Sequence, residues 1–374
     1  MEEDFPLVPP PVAPLDDALL RPVDIASTAI ARALWPSFYE EAGNPVGSPA
    51  AVVAALALVA AMARADVAAR IHAFLQLDGD RALNDHRMAV LLRGWHGDFA
   101  APGFVVLQRP FVARGARLDD DVKSRLRGPY ASPAAFVVAD GNEGVRTRIH
   151  RFFAARTRGA VEHLVAFEGI VPEVPVHVVT VARACLVVRG VRAVGRFRVG
   201  GVMPLDVEAV RVREGVSVAR GPEALVLRVP LTDPRWQLDL LVPDEGRRLA
   251  DVESLALPLL LDHRRAMTPV RGAVLFPALD TVPGEALRLR DPLWGAGLSE
   301  PFDPERSPLA MQGLPRTWVS ELFHFTRASW SAADVADGPS GPAAVAVDRP
   351  FTWALRDARW GALLALGRVF DPRE

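Results

Sequence analysis

AVDRPFTWALRDARWGALLALGRVFDP, residues 346–372, is the stretch from which the fold can be read. Phe351, Trp353 and Leu355 alternate with smaller residues, Arg356-Asp357-Ala358-Arg359 supplies a polar break, and Ala362 to Leu366 is a second apolar run. That pattern is strand, turn, strand. Because Ala362–Leu366 is apolar at every position, the second strand needs cover on both faces, which places the hairpin in the core of a large domain.

The rest of the chain has the material for such a core. Half of its 374 residues are hydrophobic and the formal net charge is −2. A near-neutral chain offers no overall field to nucleic acid or an anionic membrane, so neither is expected as a partner. Lys123 is the only lysine, an arginine bias that reads as that of a GC-rich, bacterial genome. Cys185 is the single cysteine, which excludes an intramolecular disulfide, and its apolar neighbours predict a buried, inert thiol.

Residues 1–20 are acidic and proline-rich and are expected as a flexible arm; residues 21–374 show no Gly/Ser linker or charge block and are expected as one domain. The start lacks the basic, apolar and small-residue pattern of a secretory signal, so a cytoplasmic location is expected. Helical spacing predicts a first amphipathic helix over 24–39. Ser48-Pro49 then opens an almost wholly apolar helix ending near Ala63, too short to span a membrane and therefore enclosed by protein. Further helices are predicted over 67–75, 85–93, 143–156 and 249–265. Strands are predicted over 104–112, 176–188, 207–212, 224–230, 236–242 and 270–279. Helices dominate the first quarter and strands the rest, without a βαβ order, so the class is α+β.

The chemistry-bearing motifs of enzymes are missing. There is no GxSxG, GxGxxG, phosphate loop or HExxH, and the eight histidines are scattered. No enzyme activity, cofactor or metal site is expected. Arg183, Arg189, Arg192, Arg196 and Arg198 fall within sixteen residues without an acid. They read as solvated arginines on strands, with a polyanion site at Arg189, Arg192, Arg196 and Arg198 as the alternative. His324, in a strand-like setting, reads as a core histidine with one or two hydrogen bonds.

The ending Asp348-Arg349-Pro350-Phe351, followed by Arg356-Asp357 and by Gly367-Arg368-Val369, resembles the C-terminal signature of the serpins. Ser48-Pro49 resembles that family's opening of its buried second helix; Ile149, Phe152, Thr157, Gly159 and Val161 resemble its helix followed by Thr-x-Gly. Residues 236–244 and 274–279 resemble its strands ending in Leu-Pro. The resemblance runs from about residue 24 to 372. It implies three β-sheets with about nine helices, and an exposed loop near the C-terminus that baits a serine protease. On cleavage the loop inserts into the largest sheet, a release of stored strain, and the molecule is expected to act as a monomer.

The loop aligns with Asp334, Val335, Ala336, Asp337, Gly338, Pro339, Ser340, Gly341, Pro342, Ala343, Ala344 and Val345. Asp334 stands where the family's hinge glycine falls, and Asp337 and Pro339 interrupt what should be an alanine run. A proline cannot donate to an inserted ladder, and an unpartnered buried aspartate costs several kcal/mol. Twelve residues extend only about 40 Å at about 3.3 Å each. Ser48 and His324 match positions that hydrogen-bond where the large sheet opens, while Arg183 replaces the asparagine expected there. These departures lead to the expectation of a non-inhibitory binding or scaffold protein. The alternative is a working suicide-substrate inhibitor of elastase- or subtilisin-like proteases, with its bait bond between Ala336 and Val345.

Overall fold

A computed structural model of the chain describes residues 8–38, 43–137, 142–161, 164–165, 175–281, 285–306, 308–334 and 342–373. In chain order these form α1 (Asp17–Leu20), α2 (Pro22–Leu34), β1 (Val46–Gly47), α3 (Pro49–Met62), α4 (Ala65–Phe74) and α5 (Arg81–Gly94). Then come β2 (Gly103–Ala113), β3 (Arg117–Leu118), α6 (Asp120–Arg127), β4 (Ala135–Val137), α7 (Asn142–Arg156), β5 (Val176–Val199), β6 (Met203–Val212), β7 (Ser217–Gly221), β8 (Ala224–Val229) and β9 (Trp236–Pro243). The last part holds α8 (Leu249–Leu261), β10 (Thr268–Pro269), β11 (Val274–Pro277), β12 (Leu279–Thr281), β13 (Leu287–Arg288), α9 (Arg290–Gly295), β14 (Met311–Gln312), β15 (Val319–Asp334), β16 (Val345–Ala346), β17 (Phe351–Asp357) and β18 (Leu363–Val369).

The body expected as one domain divides into two compact units: Met1–Ser37, Pro49–Arg183 and Gly284–Thr326 form the first, and Phe38–Ser48, Ala184–Pro283 and Arg327–Glu374 the second. In the first unit every residue of α3 is buried, as its unbroken apolar sequence requires, and α2, α4, α5 and α6 enclose it. Its carbonyls without intrahelical partners at the C-terminal end are satisfied from outside the helix: Arg81 Nη2 donates to Ala60 O at 2.6 Å and Ala61 O at 2.9 Å. Residues 9–19, expected as a flexible arm, lie fastened to α5. Arg93 Nη1 donates to Pro9 O at 2.9 Å, Arg87 Nε donates to Leu19 O at 2.6 Å, and His86 Nε2 lies 2.7 Å from Ala13 O.

A second core of the first unit lies under α7. Ile149, Phe152 and Phe153 of that helix pack with Phe111 of β2, Val179 and Val181 of β5, and Phe323 and Phe325 of β15. Thr157 ends the helix by donating to Phe153 O at 2.7 Å and accepting from Val161 N at 3.0 Å, and Gly159 takes the left-handed conformation the chain reversal needs (φ +80°).

The second unit carries a seven-stranded sheet in the order β1-β18-β17-β9-β8-β7-β10. All residues of β17 and β18 are buried, so the C-terminal hairpin is a core element as its pattern predicts. The turn is shorter than the sequence suggests. Arg356 and Asp357 belong to β17 and are buried, because each finds partners: Arg356 donates to Gly361 O and Leu261 O, and Asp357 accepts from Arg235. Helix α8 packs on β8, β9 and β17. Its Glu253 accepts from Arg368 Nε at 2.9 Å and from the Thr352 hydroxyl, a buried ionic tie onto the hairpin. The helix stops at Leu261, not at Arg265, whose guanidinium turns back to Leu259 O, Leu260 O and Asp262 O.

Strand β5 runs 24 residues, well past the predicted end at 188. Its outer half pairs antiparallel with β6 from Val191↔Arg211 to Val199↔Met203, and β6 in turn pairs with β11. Cys185 is half-buried on it, not enclosed as expected, because side chains alternate between faces and its face is only partly covered. Among the described residues three sheets are formed, the third by β3 with β14, and no helix is long and apolar enough to cross a membrane.

Candidate functional site

The loop candidates begin on β15 and end on β16, and both anchors lie in the second unit. At the near end, β12 pairs with β15 through Leu279↔Trp330, Asp280↔Ser329 and Thr281↔Ala328. Side chains reinforce that register. Arg327 forks onto the Asp280 carboxylate at 3.0–3.1 Å, Thr281 donates to Ala328 O at 3.2 Å, and Trp330 Nε1 donates to Pro277 O at 2.8 Å. Trp330 also stands edge-on to Trp353 of the core hairpin, 5.3 Å between ring centres. The strand continues past this anchor to Asp334, so the expected hinge position is extended β backbone. Val335, Ala336, Asp337, Gly338, Pro339, Ser340 and Gly341 lie outside the described residues.

At the far end, Pro342 and Ala343 lead to a parallel pairing of β16 with β11, Val274↔Val345 and Leu275↔Ala346. Ala344 N and Val345 N both donate to Ala273 O, and Val347 N donates to Leu275 O. Gly272 makes the approach possible: its φ is +104°, and a Cβ there would lie 2.8 Å from the Ala344 side chain. Asp348, the first residue of the C-terminal signature, then accepts from Arg198 at 2.6 Å and from Arg349 at 2.5 Å.

The three positions expected near the opening of the large sheet sit on three different elements. Ser48, just before α3, is buried and donates from Oγ to Leu364 O of β18 at 2.5 Å. His324 is buried on β15, opposite Leu287 of β13, with Nε2 2.8 Å from the Thr326 hydroxyl. Burial pushes its imidazole down to about 3, so it is a neutral core histidine at neutral pH. Arg183 of β5 donates to Phe99 O and to Ala101 O and lies over the Phe99 ring, 5.7 Å from its centre.

Sequence reasoning missed one polar pair at the other end of these strands. Ser320 of β15 and His177 of β5 are both buried, with Oγ 2.7 Å from Nδ1, and the same hydroxyl donates to Val176 O at 3.1 Å. A hydroxyl whose proton goes to a carbonyl accepts from the imidazole, so this pair ties two strands together and does not activate a nucleophile. Neither residue carries a pattern that would announce it. Two members of the arginine run on β5 face acids of β6, Arg192 pairing with Glu208 at 3.2 Å and Arg196 with Asp206 at 3.9 Å, while Arg189 reaches the Thr232 carbonyl.

The sequence matches no protein-family model and no curated protein. The structure, in contrast, superposes on native protease nexin-1 solved with heparin, at a TM-score of 0.79 and 14% identity, covering 95% of this chain and 100% of the other. The fold is that of the serpins. SRPN18 from Anopheles gambiae matches with a TM-score of 0.78 and 17% identity over 95% and 99% of the two chains. The mouse protein-Z dependent protease inhibitor matches at 0.79 and 15% over 95% and 97%. On this serpin fold, β5 and β15 are direct neighbours in one sheet, with no strand between them. Ala344–Val347 bonds along β11 instead.

Proposed function

We propose that this protein is a binding or scaffold protein on a serpin fold, which meets a serine protease or another protein partner without completing loop insertion. One observation carries the reading: the stretch between the two anchors is short. Ala344 is already bonded to β11 while β15 extends to Asp334. The residues between them reach about 33 Å when extended, whereas a strand laid along all 16 residues of β15 needs about 53 Å. Lengthening the insert would mean peeling Ala344, Val345 and Val347 from β11 and breaking the Asp348 pairs.

Two features of the sheet add to this. Separating β5 from β15 at their inner ends breaks the buried Ser320–His177 bond. Inserting 335–341 brings Asp337 and Pro339 into a ladder where the first lacks a partner and the second cannot donate. The second reading, a working inhibitor, draws support from the adjacency of β5 and β15, an uninserted arrangement in which a slot still has to open. Incubation with pancreatic elastase and with subtilisin separates the two. The binding reading expects cleavage between Ala336 and Val345, or none, without an SDS-stable adduct; a covalent complex of summed mass overturns it.

A further inference from the structure

A cleft of about 490 Å³ opens in the second unit where the β5–β6 turn, the start of α8 and the ends of the core hairpin meet. Its volume falls within the range of small-molecule sites. Arg198, Arg247, Arg248 and Arg349 line it, and no carboxylate does. The acids that pair with them are not among the lining residues. Asp348 takes Arg198 and Arg349 together, Glu245 lies 4.0 Å from Arg198 and is exposed, Glu223 pairs with Arg247 and Asp251 with Arg248 at 3.7 Å.

The Arg198 and Arg349 guanidiniums therefore share one half-buried carboxylate, Asp348, which restrains their planes and leaves donors over. Arg349 spends Nε on Pro243 O and Nη1 on Asp348, out of five N–H groups. Fixed guanidiniums with spare donors are suited to a planar or tetrahedral anion. The remaining wall is apolar. Phe370 and Pro350 line it as well, and Val202, at the tip of the turn, is 83% exposed. Gly200 and Gly201 turn the chain with φ of +58° and +81° and put no side chain into the space.

We infer that this cleft is a binding site for a small organic anion with an apolar body, an aryl or acyl carboxylate or sulfonate, whose acid group meets Arg198 and Arg349 and whose body lies against Phe370 and Val202. The arginine run of β5 thus contributes one member, Arg198, to a small-molecule site. Arg192 and Arg196 face acids of β6, and Arg183 and Arg189 reach backbone carbonyls.

The test uses the full chain and 1-naphthalenesulfonate, titrated calorimetrically beside the neutral 1-naphthalenemethanol and inorganic phosphate. The expected result is one saturable site per chain for the sulfonate, bound at least tenfold more tightly than either the neutral compound or phosphate. Arg349→Gln is expected to weaken it tenfold or more. Because Arg349 also holds Asp348, two surface variants are measured as well: Arg247→Glu and Val202→Asp, each expected to weaken the sulfonate about three- to tenfold with unchanged melting temperature. Absence of saturable binding, equal binding of the neutral compound or of phosphate, or unchanged affinity in both surface variants overturns the inference.

Discussion

The backbone N–H of Ala344 donates to the carbonyl of Ala273 at 2.7 Å, which pins the far end of the loop to β11 before β16 begins. Downstream of that bond the chain belongs to the sheet and then to the core hairpin.

Gly272 is what lets Ala344 come this close. Gly272→Val places a side chain against Ala344 at a positive φ that valine avoids, so the anchor should loosen while the core stays folded. Limited proteolysis should then cut residues 335–345 several-fold faster than in the parent, with little change in the denaturation midpoint. An unchanged cleavage rate would show that the Ala344 anchor does not restrain the loop.

The core hairpin depends on a different glycine. A Cβ at Gly367 would lie 2.8 Å from three ring atoms of Trp353, the residue opposite it across the β17–β18 ladder. Gly367→Ala is expected to cost about 1–3 kcal/mol by overpacking, read as a lower urea midpoint and a shifted tryptophan emission.

Glu253 on α8 pairs with the Arg368 guanidinium, and both are buried. Glu253→Ala takes a buried carboxylate away from that guanidinium, with an expected loss of about 3–5 kcal/mol. Replacing both residues together, Glu253→Leu with Arg368→Met, should recover most of the loss in chemical denaturation, since the pair then vanishes without leaving a buried charge.

His324 is fully buried and its imidazole is pushed down from 6.5 to about 3. The unfolded chain takes up this proton first, so the stability tied to the neutral ring is complete above about pH 6.5 and is lost as pH falls from there toward 3. His72, pushed down to about 4 by burial and then by Arg81, acts in the same direction. Burial raises Asp85 and Glu321, which oppose it. The comparison of the parent with His324→Gln isolates the one ring: the stability difference should shrink by about 2 kcal/mol between pH 7 and 5. Parallel pH profiles would mean that the ring is not held neutral.

Much of this architecture is legible from residues whose burial leaves a pattern. Ala50 to Ala63 has no polar face, so α3 has to be enclosed, and Leu363 to Leu366 has none either, so β18 has to lie inside a sheet covered twice. What escaped the reading depends on backbone partners, which have no signature in the sequence. Pro9, Ala13 and Leu19 are held through their carbonyls by side chains of α5. Arg356 looks like a turn residue until Gly361 O and Leu261 O are seen to take its charge. The outer half of β5 puts Arg192, Val194 and Arg196 on one exposed face, so it reads as solvated arginines and the strand is predicted to end at 188. The loop itself could be located by its distance from the signature, but its anchor at Ala344 rests on Gly272 and Ala273, 72 and 71 residues earlier in the chain.

Melting temperature before and after a single cut in the 335–343 segment tests the central claim most directly. If the loop is too short and too polar to enter the sheet beside β15, the cut protein melts within a few degrees of the intact one. A rise of tens of degrees after the cut would mean that the loop inserts fully, and the non-inhibitory account would be wrong.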